Sequence, residues 1–272
     1  MATSSEISIT RYRSGDFVDE DDHVACEEPL EIRVEGNSVA IVMRTPGNDE
    51  ELTAGFLLSE GIVSERRDIF EISKCPSQAG QQGNVIDVLL TDSSRLDLAA
   101  LTRNVFTSSS CGICGKATIE SVFQRFPPVT GDFRVAAELI LTFPQTLRAA
   151  QATFEQTGGL HASALIDASG EMSVLREDVG RHNALDKVIG YALMNDLLPL
   201  SEHSLMLSGR ISFELVQKAL SAGIPVVVGI SAPSSLAVEF ARESGQALVG
   251  FLRGTSMNIY AGSGRISGAE KA

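Results

Sequence analysis

Two cysteines stand two residues apart in Ser110-Cys111-Gly112-Ile113-Cys114-Gly115-Lys116, a spacing that lets both thiols share one loop. The stretch from Lys116 reads as the start of a helix, whose dipole favours a thiolate on Cys111 or Cys114, and Lys116 adds a positive charge nearby. The glycines leave the loop backbone free to approach a partner closely. Three chemistries suit such a pair: half of a zinc site, a dithiol redox couple, or a nucleophile that carries sulfur as a persulfide. A structural zinc site needs four ligands, and no second close-set pair exists because Cys26 and Cys75 are isolated. A thioredoxin-like couple would follow the first strand of a small βαβ domain, which this chain lacks. The residues by themselves leave the three readings open.

A second group of candidates sits where apolar strands should end. Ser208-Gly209-Arg210 follows one such run, Ser231-Ala232-Pro233-Ser234-Ser235 the next, and Arg253-Gly254 the third. If those strands are parallel, all three loops line the carboxyl edge of one sheet, where α/β proteins collect ligands. Small residues, hydroxyls, arginines and helix N-termini there describe a cradle for phosphate or diphosphate. For a single loop, Ser234 as a helix cap and Pro233 as a stop would suffice; three in register favour a nucleotide-like ligand. In Glu177-Asp178-Val179-Gly180-Arg181-His182-Asn183-Ala184-Leu185-Asp186-Lys187, Arg181, His182 and Lys187 near a helix start suit an anion. The competing reading makes Asp178 and Asn183 caps, and Asp186 and Lys187 a solvated face. His161, entering a strand after Gly158-Gly159, either points at the ligand or satisfies a backbone carbonyl.

The elements that must position these residues follow from hydropathy patterning. The chain of 272 residues is 43% apolar, enough for one large domain or two modest ones. Its net charge of −13 argues against duplex nucleic acid as a partner, so any anionic ligand must be held by local donors. No apolar run approaches the ~20 residues that span a bilayer, and four cysteines are too few for a disulfide scaffold, so a reducing cytoplasm is expected. Residues 1–27, with the acidic run Asp19 to Asp22, read as a flexible tail. Residues 28–105 read as an N-terminal α+β domain: a hairpin over Leu30 to Arg44, a helix from Glu50 to Glu60, and strands at Ile69 to Lys74 and Val85 to Leu90. Residues 106–272 read as an α/β domain. It comprises a helix over Pro144 to Gln156, a hairpin from His161, a helix from His182, and alternating strands and helices from Leu205 to Phe251.

These stretches, together with Thr45-Pro46-Gly47, Gly55-Phe56-Leu57-Leu58-Ser59-Glu60-Gly61 and Gly250-Phe251-Leu252-Arg253-Gly254, resemble the formate dehydrogenase accessory protein family, FdhD, from about residue 28 to 266. The resemblance implies a cytoplasmic sulfurtransferase. Cys111 would accept sulfur from a cysteine desulfurase as a persulfide, with Cys114 as its partner, and pass it toward the molybdenum of bis(molybdopterin guanine dinucleotide). It implies guanine dinucleotide contacts at Phe251, Leu252, Arg253, Gly254, Thr255 and Ser256, a site that a GDP-like nucleotide can occupy. Ser208, Gly209, Arg210, Ser231, His161, Arg181 and His182 complete the expected cofactor-binding set. The implied fold is like that of cytidine deaminases, in a homodimer that serves formate dehydrogenase. Deaminase chemistry itself is not expected: zinc deaminases use His-x-Glu before Pro-Cys-x-x-Cys, whereas here the cysteines come first and Ala162-Ser163 follow His161.

Overall fold

The computed structural model describes residues 2–75, 84–95, 123 and 125–268. Its first element departs from expectation. Residues 4–25 were expected to be a flexible tail, but β1 (Ser4–Arg13) and β2 (Asp16–Ala25) pair antiparallel throughout their length. The Ser14-Gly15 turn, with φ 52° and 107°, matches the twist that a two-residue hairpin requires. Ion pairs and hydroxyl–carboxylate bonds between the strands, among them Arg11 to Glu20 at 2.8 Å and Thr10 to Asp19 at 2.7 Å, use the acidic run as cross-strand partners.

A four-stranded sheet follows, built from β3 (Glu28–Val34), β4 (Asn37–Arg44), β5 (Ile69–Lys74) and β6 (Val85–Leu90) in the order β4-β3-β6-β5. Alternation puts Leu30, Ile32, Val34, Ile86 and Val88 on its inner face. Helix α1 (Asp49–Ser59) lies between β4 and β5 in the chain, and its buried Leu52, Leu57 and Leu58 join the same core.

After the short β7 (Val135–Ala136) come α2 (Ala137–Ile140), α3 (Phe143–Ala150) and α4 (Ala152–Thr157). The single helix expected over 144–156 is interrupted at Gln151, which sits at φ −81°, ψ 73°. The Glu177 carboxylate accepts from the Thr153 and Phe154 amides, so a side chain distant in sequence caps a fresh helix start there.

The main sheet has six strands in the order β13-β12-β11-β10-β8-β9, formed by β8 (His161–Asp167), β9 (Met172–Asp178), β10 (His203–Leu207), β11 (Val226–Gly229), β12 (Ala247–Arg253) and β13 (Ser256–Ala261). Strands β10, β11 and β12 are parallel, as their alternation with α6 (Phe213–Ser221) and α7 (Ser235–Glu243) requires. The other three are antiparallel, so the α/β fold is built on a mixed sheet. Phe143 and Leu147 cover one face; α5 (Arg181–Met194), α6 and α7 cover the other.

Helices α1 and α5 cross with backbone against backbone. A methyl group on Gly55 would lie 1.9 Å from the Asp186 carbonyl oxygen, and one on Gly190 would lie 1.7 Å from that of Glu51. One apolar core therefore runs from Leu30 and Leu57 of the small sheet through Leu185 and Val188 to Leu205 and Leu248 of the large one. Buried between two layers, α5 has no solvated stripe. Asp186 and Lys187 are both buried, which removes the competing reading of a solvated face, because each finds a partner: Asp186 takes Lys218 at 2.9 Å and Ser59, and Lys187 takes Asp178 at 2.7 Å.

Candidate functional site

The parallel strands end together, and their neighbours bring further residues to the same edge. Because β8 runs antiparallel to β10, its first residue, His161, lands beside the end of β10. Because β9 pairs with β8 from His161↔Asp178, the start of α5 with Arg181 and His182 arrives there too. Backbone bonds lace the loops into one surface: the Ile211 amide donates to the Ala232 carbonyl at 3.1 Å, and Ser234 to Ile211 at 2.9 Å. The Phe251 amide donates to the Ser231 carbonyl at 3.1 Å. Ser208 is spent structurally, its hydroxyl accepting from the Ala162 amide at 2.8 Å, and Ser234 caps α7 through the Ala237 amide. Gly209 is required by packing, since a methyl group there would stand 3.0 Å from His161 Nδ1.

The third loop turns back into the sheet. Arg253 is the last residue of β12, and Gly254-Thr255 form the two-residue turn into β13, with Gly254 at φ 55°. Phe251 also has positive φ, 51°, where the β12–β13 register shifts, a conformation unusual for a bulky residue. The strand β12 continues past its pairing with β11, so Phe251, Arg253, Thr255 and Ser256 stand exposed while Leu252 turns into the core. The guanidinium of Arg253 lies 5.9 Å from the Phe251 ring centre.

The edge is cationic in an otherwise acidic chain. Burial pushes the His161 imidazole below its ordinary value of 6.5, and the positive charges of Arg181, Arg210 and His182 push it the same way against Asp178. His161 therefore serves as a neutral hydrogen-bonding group near pH 7. Arg181 Nε is buried with no hydrogen-bond partner. His182 Nε2 lies 3.3 Å from Ser212 Oγ and 3.7 Å from Glu214 Oε2, and the neighbouring imidazole holds the exposed Glu214 carboxyl down at about 2 against partial desolvation. A pH dependence follows. The unfolded chain takes up protons near 6.5 that folded His161 and His203, both depressed by burial, resist; stability is present above that value and declines as pH falls through it. Urea midpoints at about pH 7.5 and 5.5 should show this decline in the wild type and a shallower one in His161→Gln.

Around Asp178 the sequence motif makes a buried clamp. Asp178 accepts from the Thr45 and Gly180 amides and from Asn183 Nδ2 as well as from Lys187, while Lys187 also donates to the Thr45 and Glu177 carbonyls. The Thr45-Pro46-Gly47 loop of the small sheet is thus tied to the start of α5. Lys187, which suited an anion by its place near a helix start, is held in this clamp by Asp178 and two carbonyls, and Asn183, read as a possible cap, donates to Asp178. Glu214 and Ser212 were not singled out from the sequence, since a lone Glu in a helix's first turn carries no distinguishing signal. Cys111 and Cys114 lie outside the described residues, as does the expected boundary at 105/106. Among the described residues, no cluster of three His, Cys, Asp or Glu could hold a metal ion.

Two clefts are found, one far from this edge and one beside it. One, of about 520 Å³, is lined by Leu58, Arg125, Pro128, Pro199 and Gly223 at the opposite end of the large sheet. The other, about 180 Å³, sits among Thr3, Thr45 to Asn48 and Lys187.

The sequence profile of the FdhD/NarQ family matches residues 25–267. The chain belongs to the FdhD/NarQ family. It is 51% identical over 265 residues to a protein of Streptomyces coelicolor named sulfur carrier protein FdhD, covering 95% of this chain and 94% of that one. A Saccharolobus solfataricus protein of the same name is 42% identical over 261 residues, covering 95% and 96% of the two chains. Among solved structures, a Desulfotalea psychrophila protein described as a candidate formate dehydrogenase accessory protein superposes with a TM-score of 0.78. It is 27% identical, and the match covers 97% of this chain and 100% of that one. The mixed α/β architecture is thus shared with that protein. No helix among the described residues is long and apolar enough to cross a membrane.

Proposed function

We propose that this chain is a sulfurtransferase that loads the molybdenum cofactor of formate dehydrogenase. The observation that carries the reading is the open cationic edge, where His161, Arg181, His182 and Arg210 act electrostatically on one another next to the exposed Phe251 to Ser256 hairpin. Bis(molybdopterin guanine dinucleotide) is the cargo, and its diphosphates meet the two arginines and the α5 N-terminus. Phe251 offers its ring to the guanine. Cys111 is the sulfur carrier: its thiolate attacks the outer sulfur of a cysteine desulfurase persulfide, the S–S bond to the donor cysteine breaks, and that cysteine leaves as a thiolate. The outer sulfur then passes toward the molybdenum: its bond to Cys111 Sγ breaks, Cys111 leaves as a thiolate, and the cargo as acceptor supplies the electron pair for the new bond, with Cys114 as the neighbouring thiol. The edge supplies positioning, which turns a bimolecular sulfur transfer into one between held partners. The sulfur carrier names of the relatives support the chemistry, and the accessory-protein description of the structural relative supports the recipient.

Calorimetric titration with GDP tests the edge. Charge-assisted hydrogen bonds contribute about 1.5–3 kcal/mol each, so Arg181→Ala and Arg210→Ala should each weaken GDP roughly 10- to 100-fold. Unchanged affinity in both variants would dismiss the edge as the nucleotide site.

A further inference from the structure

The β1/β2 hairpin ends where the family profile begins, at residue 25, although relatives cover 95–98% of the chain and so share most of it. Each strand has ten residues, which at ~3.4 Å per residue makes an arm about 34 Å long. Its base meets α4 through Ser4 Oγ and Gln156 Oε1 at 3.5 Å, and Ala25 Cβ lies 3.7 Å from where a methyl group on Gly159 would be. His161 is two residues further along the chain, so the arm springs from beside the cationic edge.

Register places Ile7, Ile9, Val18 and Val24 on one face of the arm, and Ile7, Val18 and Val24 are exposed. At the tip the rings of Tyr12 and Phe17 touch at 5.1 Å between centres and remain 63% and 75% exposed. Five of the ten large apolar side chains exposed among the described residues lie on this hairpin. A two-stranded ribbon with both faces in water is marginal by itself, and a concentration of exposed apolar groups marks a contact surface. The arm is also acidic: Glu6, Asp16, Asp19, Glu20, Asp21 and Asp22 stand against Arg11 and Arg13, and Arg11 is already paired with Glu20 and Asp22. Pairing this arm with the arm of a second copy would set the same acidic residues against one another, so like-charge repulsion disfavours arm-to-arm contact.

We propose that β1/β2 is a docking arm for the protein that receives the cofactor, which presents an apolar patch rimmed by Lys and Arg. This rests on reading the edge as the cofactor site: a protein seated on the arm is held over the place from which the cargo leaves. The test uses the full-length chain and purified apo formate dehydrogenase. Ile7→Ser/Val18→Ser should weaken their association at least tenfold while leaving GDP affinity unchanged, and wild-type association should fall steeply with added salt. Because the serines could unzip the ribbon, benzoylphenylalanine at position 7 provides a second measurement. It should photo-crosslink to the apoenzyme, whereas the same probe at Ile41, exposed on the small sheet, should not. Wild-type-like association of the double variant without crosslinking from position 7 overturns the proposal. So does a loss confined to cysteine desulfurase binding or to self-association. Absence of GDP binding to the wild type would instead refute the edge, a separate result.

Discussion

Replacing Cys111 with alanine is expected to leave a strain that relies on this chain without active formate dehydrogenase, a loss of at least 100-fold. A persulfide needs a sulfur nucleophile, and no other atom of the loop except Cys114 Sγ could form one. Cys114→Ala should cost less, because the carrier remains and only its neighbour is lost. Purified Cys111→Ala should still bind GDP, since the edge is built from other residues. Intact-mass measurement after incubation with a desulfurase and cysteine checks the same point directly: the wild type gains one sulfur on the Cys111 peptide and the variant gains none. Full activity from Cys111→Ala would instead favour a chaperone that holds and delivers the cofactor without sulfur chemistry.

The largest stability effect is expected at the helix crossing. In an exposed helix, Gly→Ala usually stabilises by about 1 kcal/mol through backbone entropy. At Gly190 the new methyl would stand 1.7 Å from a backbone carbonyl, and at Gly55 1.9 Å, so neither clash can be relieved by turning a side chain. The helices must separate, loosening the core they share with both sheets. Overpacking of this kind costs about 1–3 kcal/mol or more, and backbone-to-backbone contact belongs at the upper end. For a chain of this size about 3 kcal/mol lowers Tm by roughly 6–12 °C. Thermal unfolding of Gly190→Ala and Gly55→Ala should therefore show a fall where propensity alone gives a rise.

Much of the fold was legible because the core strands keep their alternation and their turns carry glycine. The strands at Ile69 to Lys74 and Val85 to Leu90 fall where the pattern places them. What could not be read depends on contacts remote in sequence. The 4–25 ribbon looks like a tail because neither of its faces is buried, so its alternation resembles solvated chain. The break at Gln151 is imposed by Glu177, and the burial of Asp186 and Lys187 by Lys218 and Asp178. Within the site, the convergence of three loops was visible from strand order, as were Arg181 and Arg210. The structural duties of Ser208 and Lys187 were not, because a hydroxyl or an ammonium near an edge looks the same whether it faces inward or outward.

The tie between Thr45 and the Asp178–Lys187 pair limits how the cargo can be admitted. One lip of the berth belongs to the small sheet and is bolted to the floor of the large one. A jaw-like swing between the sheets would leave the Asp178–Lys187 pair intact but strip it of the Thr45 amide and carbonyl, two charge-assisted hydrogen bonds at about 1.5–3 kcal/mol each. On the proposed function a long cofactor therefore meets a quay of fixed width, and among the described residues accommodation falls to the hairpin that carries Phe251 and Arg253.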